Sequence, residues 1–193
     1  MFNLKSGNFS GHETFPFRYG WLKKGVDSVL EDPLIFTKDD ALITLGVGKN
    51  MVLSIRHWCF AANLIAKKDD SKDLMVTDIG KQIFGSNGCD PYIEDPQTLW
   101  LLHWLIASNY SKATSWYYLF SFWNQPEFNK ELLIKTMLTK LKDAGVKNVA
   151  EATIRRDIEC LVRTYVPSRV NSGKLLEDSF DCPLSDLDLI IEN

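Results

Sequence analysis

The sequence predicts a mainly α-helical fold, in which tandem winged helix-turn-helix-like modules with short β wings are joined by a buried, aromatic-rich helical core. Three observations predict this fold. A short helix, a glycine turn and a longer helix follow one another before residue 65, and a similar order returns before residue 165. Between residues 95 and 123, apolar side chains surround nearly the whole helical circumference, as in a buried helix. We therefore divide the chain into an N-terminal module at 1–94, a core with the second module at 95–169, and an acidic segment at 170–193.

The first module opens with an ordered loop, rich in Gly, Phe and Tyr, that leads into a short helix within about the first 30 residues. Thr37 is the predicted N-cap of a short helix that ends at Gly46, because two acids and then apolar residues follow it. After the glycine turn, a longer helix is predicted from Lys49 to about residue 65. Its apolar stripe consists of Met51, Val52, Ile55, Trp58, Cys59 and Ala62.

A short wing is predicted after this helix. Leu74 and Val76 alternate with other residues as in a strand, and Thr77 is placed to cap a brief helix behind them. This order is typical of a winged helix-turn-helix: a short helix, a tight turn, a longer helix and a hairpin-like wing.

The second module follows the aromatic core. Pro126 breaks the chain, and the next helix is predicted to end at Gly145. A further helix then begins near residue 151. The inward-facing residues of these two helices are Leu132, Leu133, Met137, Leu138 and Leu141 in the first, and Ile154, Ile158, Leu161, Val162 and Tyr165 in the second.

Charge is unevenly distributed along the chain. The formal net charge of -3 argues against a protein covered in nucleic-acid-binding surface. Between Lys130 and Arg169, however, nine Lys or Arg stand against five Asp or Glu, whereas the segment 170–193 has one Lys and six acids. The whole-chain charge therefore hides a basic module that is followed by an acidic end.

The candidate functional residues are polar side chains on the second helix of each module. In a helix-turn-helix this helix enters the major groove, where Asn can pair with adenine and Arg with guanine. The candidates are Lys49, Asn50, Ser54, Arg56 and His57 in the first module, and Thr153, Arg155, Arg156 and Arg163 in the second. A helix face that is merely solvated is the competing interpretation. The residues thus indicate double-stranded DNA as a partner, with both interpretations open.

Motifs for catalysis and cofactor binding are not found in the sequence. The string LGVGKN is not a P-loop, because Ile43 and Asn50 stand where that loop needs Gly and Ser or Thr. The four cysteines form no CxxC pair, and neither HExxH nor GxSxG occurs. Cys59 and His103 are expected to pack in the core. We therefore expect no catalytic residue, no metal, no cofactor and no enzymatic activity.

The expected location is the cytoplasm. No run of about eighteen apolar residues occurs, and the opening residues lack the order of a secretory signal. We accordingly expect reduced thiols and no membrane partner.

Four strings resemble the domain-of-unknown-function family 4007: GHETFPFRYGWLKKG, ALITLGVGKNMVLSIRHWC, DPYIEDPQTLWLLHWLIAS and ATSWYYLF. The resemblance runs from about Phe9 to Leu189. It implies a tandem winged-helix protein encoded beside bacterial DNA phosphorothioation and phage-defence components, among them sulfotransferase-like and cysteine-desulfurase proteins. It also implies that this chain lacks a C-terminal region, because family members usually continue past residue 184.

The resemblance and the residues together predict a DNA-binding accessory or regulatory protein of a bacterial DNA-modification or phage-defence system. The alternative is a protein-interaction scaffold for a sulfur-transfer or DNA-modification complex, in which the surplus aromatics bind a partner and DNA is not contacted. A third hypothesis, an enzyme that carries sulfur on Cys59 or Cys182, rests on the implied genomic setting alone.

Overall fold

The computed structural model describes residues 7–69, 71–146, 149–166 and 182–192 of the chain. Within them the fold is mainly helical, as the sequence predicts, with one small antiparallel sheet of two strands. The helices are α1 (Trp21–Glu31), α2 (Ala41–Leu45), α3 (Lys49–Ala61), α4 (Asp78–Phe84), α5 (Pro96–Ser108), α6 (Thr114–Phe122), α7 (Lys130–Asp143) and α8 (Glu151–Tyr165). The strands are β1 (Ile65–Lys67) and β2 (Leu74–Val76), and two 3-10 helices span Ile35–Thr37 and Pro183–Leu187.

The turn between α2 and α3 forms where the sequence predicts it. Gly46 ends α2 in the left-handed conformation at φ 63°, which glycine adopts without steric cost, and α3 begins at Lys49. The end of α3 was predicted too late, because Asn63 takes φ 55° and the chain turns into β1. The predicted cap at Thr37 is wrong. Its hydroxyl donates to the carbonyl of Leu34 inside the preceding 3-10 turn, and Asp40 stands at the N-cap of α2.

The predicted wing is a short antiparallel hairpin. Ile65 pairs with Val76 and Lys67 with Leu74. Alternation buries Leu74 and Val76 against the core, where α1 packs on β2, and leaves Lys67 exposed. Thr77 caps α4 as predicted, since its Oγ1 accepts a hydrogen bond from the amide of Gly80.

The second half consists of two helix pairs. Helix α5 packs against α6, and α7 packs against α8 with Gly145 at φ 74° just after α7. Trp116 and Tyr118 are buried as predicted, but Trp100 and Trp104 of α5 are 50% and 63% exposed, so the prediction of a helix buried on every side is wrong there. Leu132 of α7, predicted to face inward, is 47% exposed. Among the described residues no strand follows β2, so a wing of the second module is not seen there. Residues 170–181 of the acidic segment lie outside the described residues, and the 3-10 helix at 183–187 packs on α8 and α5.

One hydrophobic cluster includes side chains from every described α-helix. It extends from Phe17 to Leu184, so both halves of the chain contribute to a continuous core. None of the described helices is long and apolar enough to cross a membrane.

Candidate nucleic-acid interface

The exposed face of α3 is a stripe of four side chains. Lys49, Leu53, Arg56 and Phe60 follow one another at intervals of three or four residues, so they lie on one side of the helix. Lys49 and its neighbour Asn50 are exposed at the first turn of α3, as the sequence predicts. Arg56 is half-buried, because its guanidinium lies over the ring of Phe60 at 5.3 Å from the centroid.

Ser54 and His57 do not face outward, and that part of the prediction is wrong. Their exposed fractions are 0% and 9%. For His57 the cause is an N-terminal strap, residues 7–18, whose His12 ring lies 5.8 Å from the His57 ring, centroid to centroid. The contact is close: a Cβ added to Gly11 of the strap would lie 2.5 Å from Nδ1 of His57.

Burial determines the charge state of His57. Desolvation lowers the pKa of His57 to about 3, and the electrostatic effect of the neighbouring His12 is the second, smaller cause. Among the described residues, Nε2 of His57 and Oγ of Ser54 have no hydrogen-bond partner. His57 is therefore neutral at physiological pH and does not add a cation to the exposed face of α3.

The stripe leads into an open cleft of about 710 Å³ beside β1 and the α5–α6 loop. Three cations line this cleft, Arg56, Lys67 and Lys112, together with the carboxylate of Glu13. The Nζ of Lys112 lies 5.6 Å from the centroid of Phe60, so two cations share one aromatic ring.

Lys112 reaches the cleft because its loop is fixed to the end of α3. The side-chain amide of Asn109 donates to the carbonyl oxygens of Phe60 and Ala61, at 3.1 and 3.0 Å. These are carbonyls of the last turn of α3, which the helix itself leaves without partners. Phe60, Lys67 and Lys112 were not among the predicted site residues. The helical spacing from Lys49 would have identified Phe60, but no local pattern connects Lys112 to α3.

The predicted residues of the second module are engaged by the protein itself. Arg155 is bound by two carboxylates: its Nη2 lies 3.0 Å from Glu131 of α7 and 3.1 Å from Glu151. These contacts raise the pKa of Arg155 and hold the pKa of Glu131 below its ordinary value. The local charge around Arg155 is thus compensated.

The other three predicted residues of α8 are spread along the helix. Thr153 is half-buried, and Arg156 is exposed with its Nε donating to the carbonyl of Ala152. Arg163 lies two turns further on, where its Nη2 donates to the carbonyl of Thr14 in the strap at 2.6 Å. The structure therefore does not gather the α8 residues into one patch.

A buried group of Ser115, Asp157 and His12 contains the residue types of a catalytic triad but not its order. Both Ser115 and His12 contact Asp157, whereas a nucleophilic serine must donate to the histidine. All three side chains are almost fully buried. Their arrangement ties the strap to α6 and α8, and among the described residues no group of three or more His, Cys, Asp and Glu is placed to hold a metal.

The model of a protein family of unknown function, DUF4007, matches residues 9–193, nearly the whole chain. The chain belongs to this family. The chain is also similar to a crystal structure of SspB, with 34% sequence identity and a TM-score of 0.83 over 94% of its length. A magnesium-ion-bound crystal structure of SspB is 35% identical, with a TM-score of 0.81 over 93% of the chain. No curated protein sequence matches the chain.

This DUF4007 chain spans a little over half the length of the SspB chains, 56% and 55% respectively. The magnesium ion is a property of the SspB structure.

Proposed function

We propose that this DUF4007 chain binds double-stranded DNA through α3 and the β1–β2 hairpin. The order of α2, a glycine turn, α3 and an antiparallel hairpin supports this proposal, because the same order is expected of a winged helix-turn-helix. In a helix-turn-helix the second helix enters the major groove, and the proposal places the hairpin beside it, against the flanking backbone. The proposed role is accessory or regulatory, in a bacterial DNA-modification or phage-defence system, and it assigns no catalytic step to the chain.

The observation that carries the proposal is the continuity between the α3 stripe and the cationic cleft. Lys49 and Asn50 stand at the first turn, where base contacts are made in helix-turn-helix proteins. Arg56, Lys67 and Lys112 then supply three positive charges along one path, against the single carboxylate of Glu13. Phosphate contacts of this kind dominate affinity, and they make it dependent on salt.

The proposal places the main DNA contacts on α3, β1 and the α5–α6 loop, and not on α8. Arg155 already has two carboxylate partners, and releasing it would leave Glu131 and Glu151 facing the phosphates. Arg156 and Arg163 remain as contacts to the backbone of a longer duplex.

A salt titration tests the proposal. The affinity for a fluorescein-labelled duplex is measured by anisotropy for the wild-type chain and for the double variant Arg56→Ala with Lys112→Ala. The matched control is Lys135→Ala with Lys140→Ala, two exposed lysines of α7. Losing two phosphate contacts should lower the slope of log affinity against log salt by nearly two units. Equal slopes for the two double variants would reject the interface.

A second candidate, a scaffold that binds a DNA-modification or sulfur-transfer protein, is supported by a separate observation. Tyr92, Trp100 and Trp104 are 72%, 50% and 63% exposed, which is unusual for large aromatics in a protein without a partner. Co-purification with such a protein, in the absence of any DNA shift, would select this candidate.

A sulfur-carrying cysteine has less support. Burial raises the pKa of the Cys59 thiol well above its ordinary value, and it raises the pKa of Cys182 to about 12. Sulfur transfer needs the thiolate, which both environments disfavour.

A further inference from the structure

A second cleft, of about 540 Å³, lies at the start of α5. Its walls are the loop before α5, the residues just before α1, and the 3-10 helix at 183–187. It shares no lining residue with the cationic cleft beside α3. Any ligand of this second cleft is therefore independent of the proposed DNA interface.

Three aromatic rings line this cleft: Tyr19, Tyr92 and Trp100. All three are exposed, and Trp104 is exposed one turn further along α5. Exposed tryptophan and tyrosine side chains that share a concave surface are typical of binding sites, where they supply most of the contact energy.

The polar groups of the cleft are carboxylates. Glu94 and Asp186 line it, and in the part of the chain that the structure describes no Lys or Arg pairs with either of them. The hydroxyl of Tyr19 donates to Oδ2 of Asp186 at 3.1 Å, which orients that carboxylate. Burial and this hydrogen bond raise the pKa of Tyr19 to about 12, so the phenol stays neutral. The cleft is thus anionic and aromatic.

The loop that carries Tyr92 and Glu94 is fixed in place. The carboxylate of Asp90, which is itself buried, accepts hydrogen bonds from the amides of Glu94 and Asp95 at 2.8 and 3.0 Å. Asp95 in turn caps α5 by accepting from the amide of Gln97. A site held in this way loses little conformational entropy when a ligand binds.

We propose that this cleft binds an arginine side chain of a protein partner. A guanidinium stacks on the faces of Trp and Tyr and donates to carboxylates through a planar fork, so Trp100 with Glu94 and Asp186 matches both of its properties. Phosphate groups are repelled by the two carboxylates, which excludes nucleic acid as the occupant. Trp104 extends the aromatic surface beyond the cleft, where it meets apolar residues that flank the arginine.

A peptide titration followed by NMR tests the proposal. The probe is acetyl-Gly-Leu-Arg-Leu-Gly-amide, added to the ¹⁵N-labelled chain, and the signal observed is the indole N–H of Trp100. Two analogues replace the arginine by lysine or by citrulline, which has nearly the same shape without the charge. The protein variants are Glu94→Gln with Asp186→Asn, Trp100→Ala, and a control, Glu127→Gln with Asp143→Asn, that changes net charge equally at exposed sites.

The arginine peptide should shift the Trp100 signal saturably, and the citrulline peptide should bind at least about tenfold more weakly. The double variant of the cleft should bind the arginine peptide with about tenfold lower affinity, whereas the control variant should bind it with wild-type affinity. Trp100→Ala lacks the indole signal, so its loss of peptide affinity is followed at a backbone amide in the loop before α5. The dispersion of each ¹H–¹⁵N spectrum verifies that the variants are folded.

Equal binding of the arginine and citrulline peptides would overturn the proposal, as would an equal loss in the cleft variant and the control. The proposal would also be overturned if the Trp100 signal of the wild-type chain showed no saturable shift up to about 10 mM arginine peptide. DNA affinity is measured on the same variants and should not change, so failure of this proposal is distinguishable from failure of the DNA interface.

Discussion

The Nε2 atom of His12 lies 2.7 Å from Oδ1 of Asp157, and this hydrogen bond joins two buried residues that are 145 positions apart in the chain. Nδ1 of His12 accepts from the amide of Thr14, so Nε2 is the nitrogen that carries the donating proton. Asp157 also accepts from the amide of Ser10 at 2.7 Å and from the hydroxyl of Ser115. One carboxylate of α8 therefore holds the strap against the helices.

Replacing Asp157 should destabilise the fold severely. Asp157→Ala leaves the donors of Ser10, His12 and Ser115 without their acceptor in a buried site, and we expect a loss of about 3 kcal/mol in the free energy of unfolding. Urea denaturation at pH 7 measures it, with Glu159→Ala, an exposed acid on the same helix, as the control. A loss equal to that of the control would show that Asp157 does not hold the strap.

The strap explains which parts of the structure the sequence could predict. Capping residues and glycines act locally, so the α2–α3 turn, the hairpin and the cap at Thr77 were predictable from neighbouring residues. The burial of His57 depends on residues 7–18, which contact α6 and α8 as well as α3. Periodicity marks the most apolar side of a helix, but it does not reveal that a second side is covered by a distant segment.

The same reasoning applies to the candidate interface. Lys49, Asn50 and Arg56 were predicted from their positions on α3, and they lie at or near its surface. Lys112 is 52 positions beyond Phe60 and meets it only because Asn109 binds the end of α3. On α8, the carboxylate of Glu131 that compensates Arg155 belongs to the preceding helix, so a count of charges along α8 overestimates its positive potential.

Two separate glycine-to-alanine substitutions test how closely the strap packs on α3. Gly11→Ala introduces a Cβ 2.5 Å from the imidazole of His57, so either the strap or the helix must move. We expect a loss of about 1–3 kcal/mol in the free energy of unfolding, as for other overpacked cores. Gly48→Ala is the control, because nothing lies within 4 Å of its added Cβ and its φ of -66° suits alanine; as the N-cap of α3 it should lose less than about 1 kcal/mol. Equal stabilities of the two variants would contradict the close contact.

His57 should make stability depend on pH. Its pKa is about 3 in the folded chain and about 6.5 when unfolded, so the unfolded state binds the proton more readily. The stabilisation is complete above pH 6.5 and is lost as the pH falls from 6.5 towards 3. Between pH 7 and 5 the wild-type chain should therefore lose about 2 kcal/mol more than His57→Gln, which does not titrate. Parallel stability profiles of the two proteins, measured by urea denaturation at each pH, would contradict this assignment.

Arg56 and Arg155 should differ in their effect on DNA binding, although both are half-buried arginines on the second helix of a helix pair. Arg56 lies in the cleft over Phe60, with Lys67 and Lys112 nearby, so Arg56→Ala removes one phosphate contact and should lower the salt slope by about one unit. The guanidinium of Arg155 donates hydrogen bonds to the carboxylates of Glu131 and Glu151. Arg155→Ala should change the slope by less than about half a unit, since a neutralised arginine releases few counterions from DNA. The two single variants are compared by anisotropy with one duplex over the same salt series. If Arg155→Ala lowers the slope as much as Arg56→Ala does, α8 contacts DNA as closely as α3, and both modules read the duplex.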